Sequence, residues 1–390
     1  MLWVAAAVVL AARVVVSVLT PQNGQVMVDF QVYRGADLAW FESGGLYTFQ
    51  GPTGLPFTYP PFAAILLAPF AVIGQWPGII LFFAAEFACF AALVRFTFNR
   101  AAARFGEALP GWSPGLMAVV FSVTAPAQTN FNLGQVSVMV IAASVTPFIA
   151  KDAYRNGVLC GFATAVKLLP GVFVLLAWLA RRRKAAIGAA VAFFGAFTLG
   201  VLLVPGGSYE YWSDLVFEDR YQGSNPGFNT SLMGVLTRAG MEQGTVRMAW
   251  VLLGMALGAA VFAMAALLMR RGQTLAAICA VGALSVLLAP VSWPHHQFWL
   301  VMAAFVGVAA AARRQWIYTI AVLVLMTIPF QAIPALSGSG LGQVLGNIAL
   351  WPIVESRFLL ACCVAVVIPA HLCLKLRTQP APETANSPQT

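Results

Sequence analysis

Long apolar runs constrain the fold of this chain more than any other feature of its sequence. A membrane-spanning helix needs about 20 mostly apolar residues, or fewer where neighbouring helices bury it. Only 9% of the residues are charged, against about 25% in an average soluble protein. The sequence therefore predicts an all-α polytopic membrane protein with about twelve transmembrane helices. The predicted spans lie at about 2–19, 58–74, 77–95, 114–126, 135–150, 157–180, 185–204, 248–269, 274–291, 297–312, 316–331 and 353–376.

The positions of the basic residues predict an orientation in the membrane. The chain has 22 Lys and Arg against 13 Asp and Glu, a formal charge of +9. The basic residues cluster at the ends of apolar runs, which fits the positive-inside rule rather than a nucleic-acid-binding surface. When the spans are counted alternately, four clusters share the side predicted to be the cytoplasm. These clusters are Arg181–Lys184, Arg270–Arg271, Arg313–Arg314 and Lys375 with Arg377.

Counting every predicted span as a full membrane crossing conflicts with the positive-inside rule in one region of the first half of the chain. It places a second set of basic residues on the opposite side, namely Arg95, Arg100, Arg104, Lys151 and Arg155. A half-helix or a re-entrant segment between residues 58 and 180 is therefore an alternative to full spans there.

One transmembrane domain is predicted over residues 1–377, with outer loops at about 20–57, 205–247 and 331–352. Residues 378–390 are rich in Pro, Ser and Thr and should form a disordered cytoplasmic tail. Residues 20–23 lack a small-x-small cleavage site, so we expect a retained first span rather than a signal peptide. No internal repeat is visible, and many transporters have one.

The first outer loop contains a predicted amphipathic helix over residues 28–43. Asp29, Tyr33 and Asp37 fall four residues apart on one face of it, with Trp40 and Phe41 as interfacial anchors. A carboxylate just outside the first span could act as general base on a hydroxyl at the lipid surface. The alternative is an ordinary solvated polar face.

Lys167 lies inside the long apolar run 157–180. A lysine at membrane depth costs roughly 2.5–3.5 kcal/mol on insertion scales, so it is a candidate functional residue. A phosphate group would supply its missing counter-charge. The alternative is a structural ion pair, for instance with Glu86.

Two of the three histidines are adjacent, His295 and His296, and follow Trp293 at the outer end of a span. Adjacent residues on a helix point in different directions, so we expect only one of the two to face a cleft. General base, phosphate donor and metal ligand are candidate roles, and a pair of interfacial aromatics is the alternative. No metal site is predicted, because a third ligand at suitable spacing is lacking.

Further candidate residues begin apolar runs at Tyr59 and at Gln135. Backbone N–H groups at such helix starts can bind an anion, although Gly and Pro are also ordinary there. All six cysteines lie in apolar runs without metal-ligand spacing, so we expect buried thiols and no disulfides.

Taken in chain order, these segments resemble glycosyltransferase family 87 of the GT-C superfamily. The resemblance runs from about residue 29 to 300, and the sequence departs from it at Ser137, where Asn often follows Gly-Gln-Val. The matching segments are Asp29-Phe30-x-Val32-Tyr33, Leu46-Tyr47, Phe57-Thr58-Tyr59-Pro60-Pro61-Phe62, Leu133-Gly134-Gln135-Val136, Gly157 through Lys167-Leu168-Leu169-Pro170, and Ala289 to His296.

The resemblance implies a GT-C fold and transfer of mannose from polyprenyl-phosphate-mannose. The similar members add an α-1,2-mannose to a phosphatidylinositol mannoside, with the site on the periplasmic face of the inner (plasma) membrane. It also implies an aspartate base at Asp29 and an essential histidine at His295 or His296. Substrate contacts are expected from Tyr33, Arg34, Tyr59, Gln135, Lys167 and Trp293, with neither cofactor nor metal.

Two other functions fit the same features. A transporter or flippase of lipid-linked sugars would explain the spans and Lys167. A lipomannan-branching mannosyltransferase or an arabinofuranosyltransferase would share the fold. Whether the 205–247 loop binds the acceptor headgroup or only covers the cleft stays open from sequence.

Overall fold

Helices dominate the computed structural model, which describes residues 1–19, 26–51, 54–103, 110–216, 229–308, 315–328 and 355–378. Within these ranges the chain forms no β-strand, and its one β-bridge joins Gln50 to Pro56. The described residues therefore agree with the predicted all-α class.

The first half of the chain contains ten α-helices of very different lengths. They are α1 (Leu2–Leu19), α2 (Val28–Ser43), α3 (Pro61–Val72), α4 (Gln75–Ala102), α5 (Ser113–Ser122), α6 (Ala125–Leu133), α7 (Ser137–Ser144), α8 (Tyr154–Val166), α9 (Gly171–Leu179) and α10 (Arg183–Leu203). A 3₁₀ turn, Thr146–Phe148, follows α7.

The second half of the described chain adds eight α-helices. They are α11 (Pro205–Glu210), α12 (Leu232–Arg238), α13 (Gln243–Arg270), α14 (Thr274–Leu288), α15 (Phe298–Val308), α16 (Gln315–Thr327), α17 (Ser356–Cys362) and α18 (Ile368–Thr378). Two π-helical segments, Tyr211–Leu215 and Cys363–Val367, and a 3₁₀ turn at Pro294–His296 interrupt them.

Five helical segments of the described chain are long and apolar enough to cross a membrane. They are Leu2–Leu19, Gln75–Ala102, Arg183–Leu203, Gln243–Arg270 and Ser356–Leu376. Shorter apolar helices of 10–17 residues accompany them, including α14, in which every residue from Leu275 to Leu287 is buried. This arrangement is that of an all-α membrane protein.

The run 157–180 is not one span, and that prediction is wrong. Helix α8 ends at Val166 and α9 begins at Gly171. Proline has no N–H and disfavours helical geometry in the residue before it, so Pro170 interrupts the helix here. Lys167 consequently lies at a helix end, with extended backbone (φ −149°, ψ 117°), and not in the middle of a span.

Small residues let α8 and α10 pack with their backbones in contact. A Cβ atom added at Gly157 would lie 1.8 Å from the carbonyl oxygen of Ala185, and one at Gly161 would lie 2.1 Å from that of Ala189. Glycines four residues apart are typical of close helix packing in membranes. This contact fixes α8, and hence Lys167 at its end, against α10.

Arginines join the helix ends on the side away from the break at Lys167. Arg100 donates to the Ile149 carbonyl at 3.1 Å, and Arg182 donates to the Pro147 carbonyl at 3.0 Å. Farther along the chain, Arg270 donates to the Leu179 carbonyl at 3.1 Å. We call this side the arginine-rich end.

These contacts correct the placement that strict alternation gave to Arg100, Lys151 and Arg155. Asp152 accepts hydrogen bonds from the backbone N–H groups of Lys184 and Ala185, at 3.2 and 2.9 Å, so residues 151–155 lie at the arginine-rich end as well. The guanidinium of Arg95 lies over the ring of Trp3, near the start of α1. The predicted span 157–180 is in fact two helices, and the chain reverses direction between α8 and α9. Both ends of this segment therefore lie on the same side, which the alternating count of spans did not allow. Arg104 lies outside the described residues.

The predicted helix over residues 28–43 is present as α2, but its polar face is not solvated. Tyr33 and Asp37 are buried, and α2 packs on α3. Within the predicted loop 205–247 the structure contains α11, a π-helical segment, α12 and the start of α13. The loop 331–352 and residues 379–390 of the predicted tail lie outside the described residues, whereas Thr378 still belongs to α18.

Candidate functional site

A cavity of about 580 Å³ brings together residues from six separate parts of the chain. This volume lies within the range of about 300–1,000 Å³ that is typical of small-molecule sites. Eight of the predicted site residues line it: Asp29, Tyr33, Tyr59, Gln135, Lys167, Trp293, His295 and His296. Arg34 was predicted with them, but it is not among the lining residues.

Asp29 reaches the cavity from the first turn of α2. Burial raises the pKa of its carboxyl to about 6, although a hydrogen bond from the Gln135 side chain and the positive charge of Lys167 act to lower it. A carboxylate with a pKa close to the working pH is suited to accept a proton from a hydroxyl.

A chain of hydrogen bonds orders the wall around Asp29. The hydroxyls of Tyr33 and Tyr59 are 3.0 Å apart, and the Tyr59 hydroxyl donates to Gln135 Oε1 at 3.0 Å. Tyr47 donates to the backbone carbonyl of Tyr59 at 2.7 Å. These bonds leave the amide nitrogen of Gln135 to face Asp29, so both polar atoms of that side chain have defined partners.

The turn that holds Gln135 depends on Gly134 and on a buried polar pair. Gly134 ends α6 with φ +66°, a backbone conformation that residues other than glycine rarely adopt. Asn130 donates to Glu86 Oε1 at 2.7 Å and accepts from the Val138 N–H at 3.1 Å. The suggested ion pair between Lys167 and Glu86 is therefore not formed, because Glu86 bonds Asn130 instead.

Lys167 lies where α8 ends, with its ammonium at the cavity wall. Its Nζ atom is 2.9 Å from His296 Nε2 and 3.3 Å from the Ser137 hydroxyl, and it lies 5.5 Å from the centroid of the Tyr59 ring. A cation–aromatic contact at this distance is attractive. Lys167 thus joins the tyrosine wall to the histidines.

We call residues 293–296, which contain the short 3₁₀ helix Pro294–His296, the histidine turn. His295 is 4% exposed and His296 is 9% exposed, and both line the cavity. The expectation that only one of them faces the cleft is therefore wrong. Their rings are nearly perpendicular, with centroids 4.5 Å apart.

The electrostatic surroundings keep the two imidazoles neutral. Burial and the positive charge of Lys167 hold the pKa of both histidines well below the usual value. His296 Nδ1 also lies 3.3 Å from the Trp293 N–H, in addition to the contact between Nε2 and Lys167. A neutral imidazole has one N–H, so when Lys167 is charged one of these two contacts must join two donors. An anion beside Lys167 and His296 would accept from both.

Sequence reasoning missed several residues of the wall. Tyr211 and Leu215, from the loop 205–247, line the cavity, as does Thr129 on α6. The adjacent aromatic residues Tyr211 and Trp212 could have identified this part of the wall from sequence, because aromatic residues in an outer loop are candidate sugar or lipid contacts. Within the described residues no group of three or more His, Cys, Asp or Glu side chains could hold a metal ion.

Comparisons with known proteins find one glycosyltransferase family and several similar mannosyltransferases. The family model for glycosyltransferase family 87 matches residues 57–290. The polyprenol-phosphate-mannose-dependent alpha-(1-2)-phosphatidylinositol mannoside mannosyltransferase of Mycobacterium tuberculosis is 29% identical over 307 residues, covering 74% of this chain and 71% of that relative. The corresponding pentamannoside mannosyltransferase of Mycolicibacterium smegmatis is 32% identical over 305 residues, with coverage of 74% and 71%. No solved structure matches the chain.

Proposed function

The chain belongs to glycosyltransferase family 87, and from this premise we propose that it transfers mannose from polyprenyl-phosphate-mannose to a mannosylated phosphatidylinositol. The new linkage is α-1,2 and forms with inversion. The names of the mycobacterial relatives support this donor and acceptor class. The reaction uses a lipid-linked donor and neither a metal nor a separate cofactor.

One observation supports this proposal more than any other. A carboxylate from the start of the chain, a lysine from its middle and two histidines from later in the sequence line a single cavity. Sugar transfer from a phosphate-linked donor needs a base for the acceptor hydroxyl and positively polarised groups for the departing phosphate. The two requirements correspond to the two sides of this cavity.

Asp29 is the general base of the proposed mechanism. The acceptor hydroxyl oxygen attacks C1 of the mannose while its proton passes to the Asp29 carboxylate. The bond between C1 and the phosphate oxygen breaks, and its electron pair leaves with the polyprenyl phosphate. Attack opposite to the leaving group converts a β-linked donor into an α-linked product. Tyr33 lies one helical turn from Asp29 and orients the sugar.

Lys167 and the histidine turn bind the departing phosphate. Lys167 Nζ and His296 Nε2 are 2.9 Å apart, so one phosphate oxygen can contact both. The phosphate also relieves the contact between two donors that His296 otherwise has. Donors placed where charge develops typically contribute about 3–4 kcal/mol each to transition-state stabilisation.

We place the cavity on the periplasmic face of the inner membrane and the arginine-rich end in the cytoplasm. The asymmetry of Lys and Arg supports this orientation, because basic residues accumulate on the cytoplasmic side of membrane proteins. In a GT-C arrangement of about twelve helices, α2 would lie at the outer surface of the bilayer. Trp40 and Phe41 on α2 are partly or largely exposed and suit that interface.

Thiol labelling in intact cells tests the orientation. Thr237 and Lys184 are both exposed and lie near opposite ends of the helices. A membrane-impermeant maleimide should label Thr237→Cys but not Lys184→Cys until the cells are opened. The wild-type protein, with its six native cysteines, provides the background. The reverse pattern would invert the proposed topology.

Transfer itself is tested with purified protein in lipid vesicles. Polyprenyl-phosphate-mannose and a phosphatidylinositol mannoside should yield a glycolipid one hexose heavier by mass spectrometry, with an α-1,2 linkage after glycosidase digestion. Movement of the donor across the bilayer without hexose transfer would show a flippase instead. Preference for polyprenyl-phosphate-arabinose, or for lipomannan as acceptor, would assign the chain to another activity of the same fold.

A further inference from the structure

The outer segment 229–238 makes an unusual number of polar contacts with the chain just before the histidine turn. We infer that this segment and Glu355 form a brace that positions the histidine turn at the cavity wall, with Arg238 as the central positioning residue. The inference rests on the proposed function only for its kinetic consequence. It also gives the loop 205–247 a role that sequence alone left open.

The first layer of the brace bonds residues 229–231 to residues 290–292. Asn229 donates to the Pro290 carbonyl at 2.9 Å and accepts from the Ser292 N–H at 2.9 Å. Both the N–H and the hydroxyl of Thr230 reach the Ser292 carbonyl at 3.2 Å. Ser231 donates from its hydroxyl to the Pro290 carbonyl at 3.1 Å. Residues 290–292 lie outside a helix, and this segment supplies hydrogen-bond partners for their backbone N–H and carbonyl groups.

The second layer fixes Asn229 in place through a partly buried ion pair. Arg238 donates to the Asn229 carbonyl at 2.7 Å. The same guanidinium binds both carboxylate oxygens of Glu355, at 2.8 and 2.7 Å, and Glu355 is only 3% exposed. Two parallel bonds between guanidinium and carboxylate give directional as well as electrostatic stabilisation. Arg238 therefore connects the start of α17 to the segment that holds Ser292.

The brace also reaches the other end of the histidine turn. Gln297, the residue after His296, is fully buried and donates to the Thr230 hydroxyl at 2.8 Å. Arg357 donates to Gln297 Oε1 at 3.3 Å. Since Ser292 precedes the turn and Gln297 follows it, both ends of residues 293–296 are held by the same neighbours. A shift of the brace must displace both histidines.

The test measures the exposure of the two histidines and the turnover of the enzyme separately. Diethylpyrocarbonate modifies neutral imidazoles, and peptide mass spectrometry can follow each histidine of the chain. His295 and His296 are almost buried, whereas His371 on α18 is exposed and serves as an internal reference. Arg238→Ala and Glu355→Gln should speed modification of His295 and His296 relative to His371. Arg247→Ala is the matched control, because Arg247 is exposed and outside the brace.

Turnover provides the second readout. A misplacement of about 1 Å can cost on the order of 100-fold in rate, so both variants should lose roughly 10- to 100-fold in kcat. The KM values for donor and acceptor should change little, because the binding groups remain. Glu355→Gln keeps the arginine and its bond to Asn229, so it is the milder variant if Arg238→Ala does not fold. All rates are compared well below each variant's melting temperature.

Unchanged modification of His295 and His296 together with unchanged kcat, in folded Arg238→Ala, would overturn the brace. A raised acceptor KM with normal kcat would also overturn it, because the segment would then bind the acceptor. Absence of hexose transfer by the wild-type protein would remove the proposed function instead. The modification experiment does not depend on activity and would still test the brace in that case.

Discussion

Replacing Asp29 by Asn should stop sugar transfer and stabilise the fold at the same time. The amide has nearly the same shape and can still accept the hydrogen bond from Gln135, but it cannot take up the proton of the acceptor hydroxyl. General bases typically contribute about 10²–10⁴-fold to rate. We therefore expect kcat to fall by that factor in Asp29→Asn, with donor and acceptor binding retained.

The gain in stability follows from the sign of the pKa change. Burial raises the pKa of Asp29 from 3.8 to about 6, so ionising this carboxyl costs more in the folded protein than in the unfolded chain. The cost is absent below pH 3.8 and complete above pH 6. At 1.36 kcal/mol per pKa unit the difference corresponds to about 3 kcal/mol, or roughly 1–2 kcal/mol once screening by water in the cavity is allowed for. Asparagine removes this cost.

Two measurements on purified protein check the reasoning. The melting temperature of Asp29→Asn in detergent should exceed that of the wild type by a few degrees at pH 7.5, and the difference should shrink as the pH falls through 6 toward 4. For the wild-type enzyme, kcat/KM should fall about tenfold per pH unit below pH 6, because the base must be ionised.

Asp37→Asn is the matched control. Asp37 lies on the same helix, is fully buried, has no hydrogen-bond partner in the described part of the chain and does not line the cavity. Burial raises its pKa to about 8, so it is mostly protonated at pH 7 and an amide replaces it closely. Its kcat should match the wild type. Retention of more than about a tenth of the wild-type kcat by Asp29→Asn, or a flat rate between pH 5 and 7, would refute the assignment of Asp29 as base.

Four other substitutions separate the roles of the residues in and behind the cavity wall. Lys167→Ala should lower kcat about 100-fold, the usual cost of removing a donor from a developing charge, and steady-state kinetics with unchanged donor KM and kcat would contradict this. In a double-mutant cycle of kcat/KM, His296→Ala should add little to the loss in Lys167→Ala, because the two groups contact each other. His295→Ala should add a larger further loss. Asn130→Ala should weaken the turn that holds Gln135 and lower kcat about tenfold with little change in KM. An unchanged kcat in a folded variant would show that the turn keeps its geometry without the hydrogen bonds of Asn130.

The sequence could predict part of the cavity because some of its residues are costly or unusual where they stand. A lysine in an apolar run and a histidine pair at the end of a span are rare without a role. The structure brings both to one cavity with Asp29, from segments far apart in the chain. Physical cost selected Lys167 and the histidine pair, whereas the role of Asp29 as base and the further substrate contacts were implied by the resemblance.

The geometry around these residues was not predictable from one sequence. Hydropathy is similar on both sides of Lys167, so the run 157–180 looked continuous and the effect of Pro170 was overlooked. Arg238 and Glu355 are 117 positions apart, and nothing in a single sequence pairs them. Arg34 was expected among the substrate contacts, yet it follows Tyr33 on α2 and successive residues on a helix face different directions. Long-range pairing and side-chain direction depend on the packed fold.

The turn after α6 connects the two halves of the proposed chemistry. Gln135 bonds Asp29 and Tyr59 on the base side, and Ser137, two residues later, accepts from Lys167 on the phosphate side. A shift of this turn must therefore disturb proton removal and phosphate departure together. The brace, in contrast, bonds the residues that flank the histidine turn, Ser292 before it and Gln297 after it. The pH dependence due to Asp29 should hence survive damage to the brace, with its midpoint near pH 6 at a lower plateau, but should move when Asn130 is replaced.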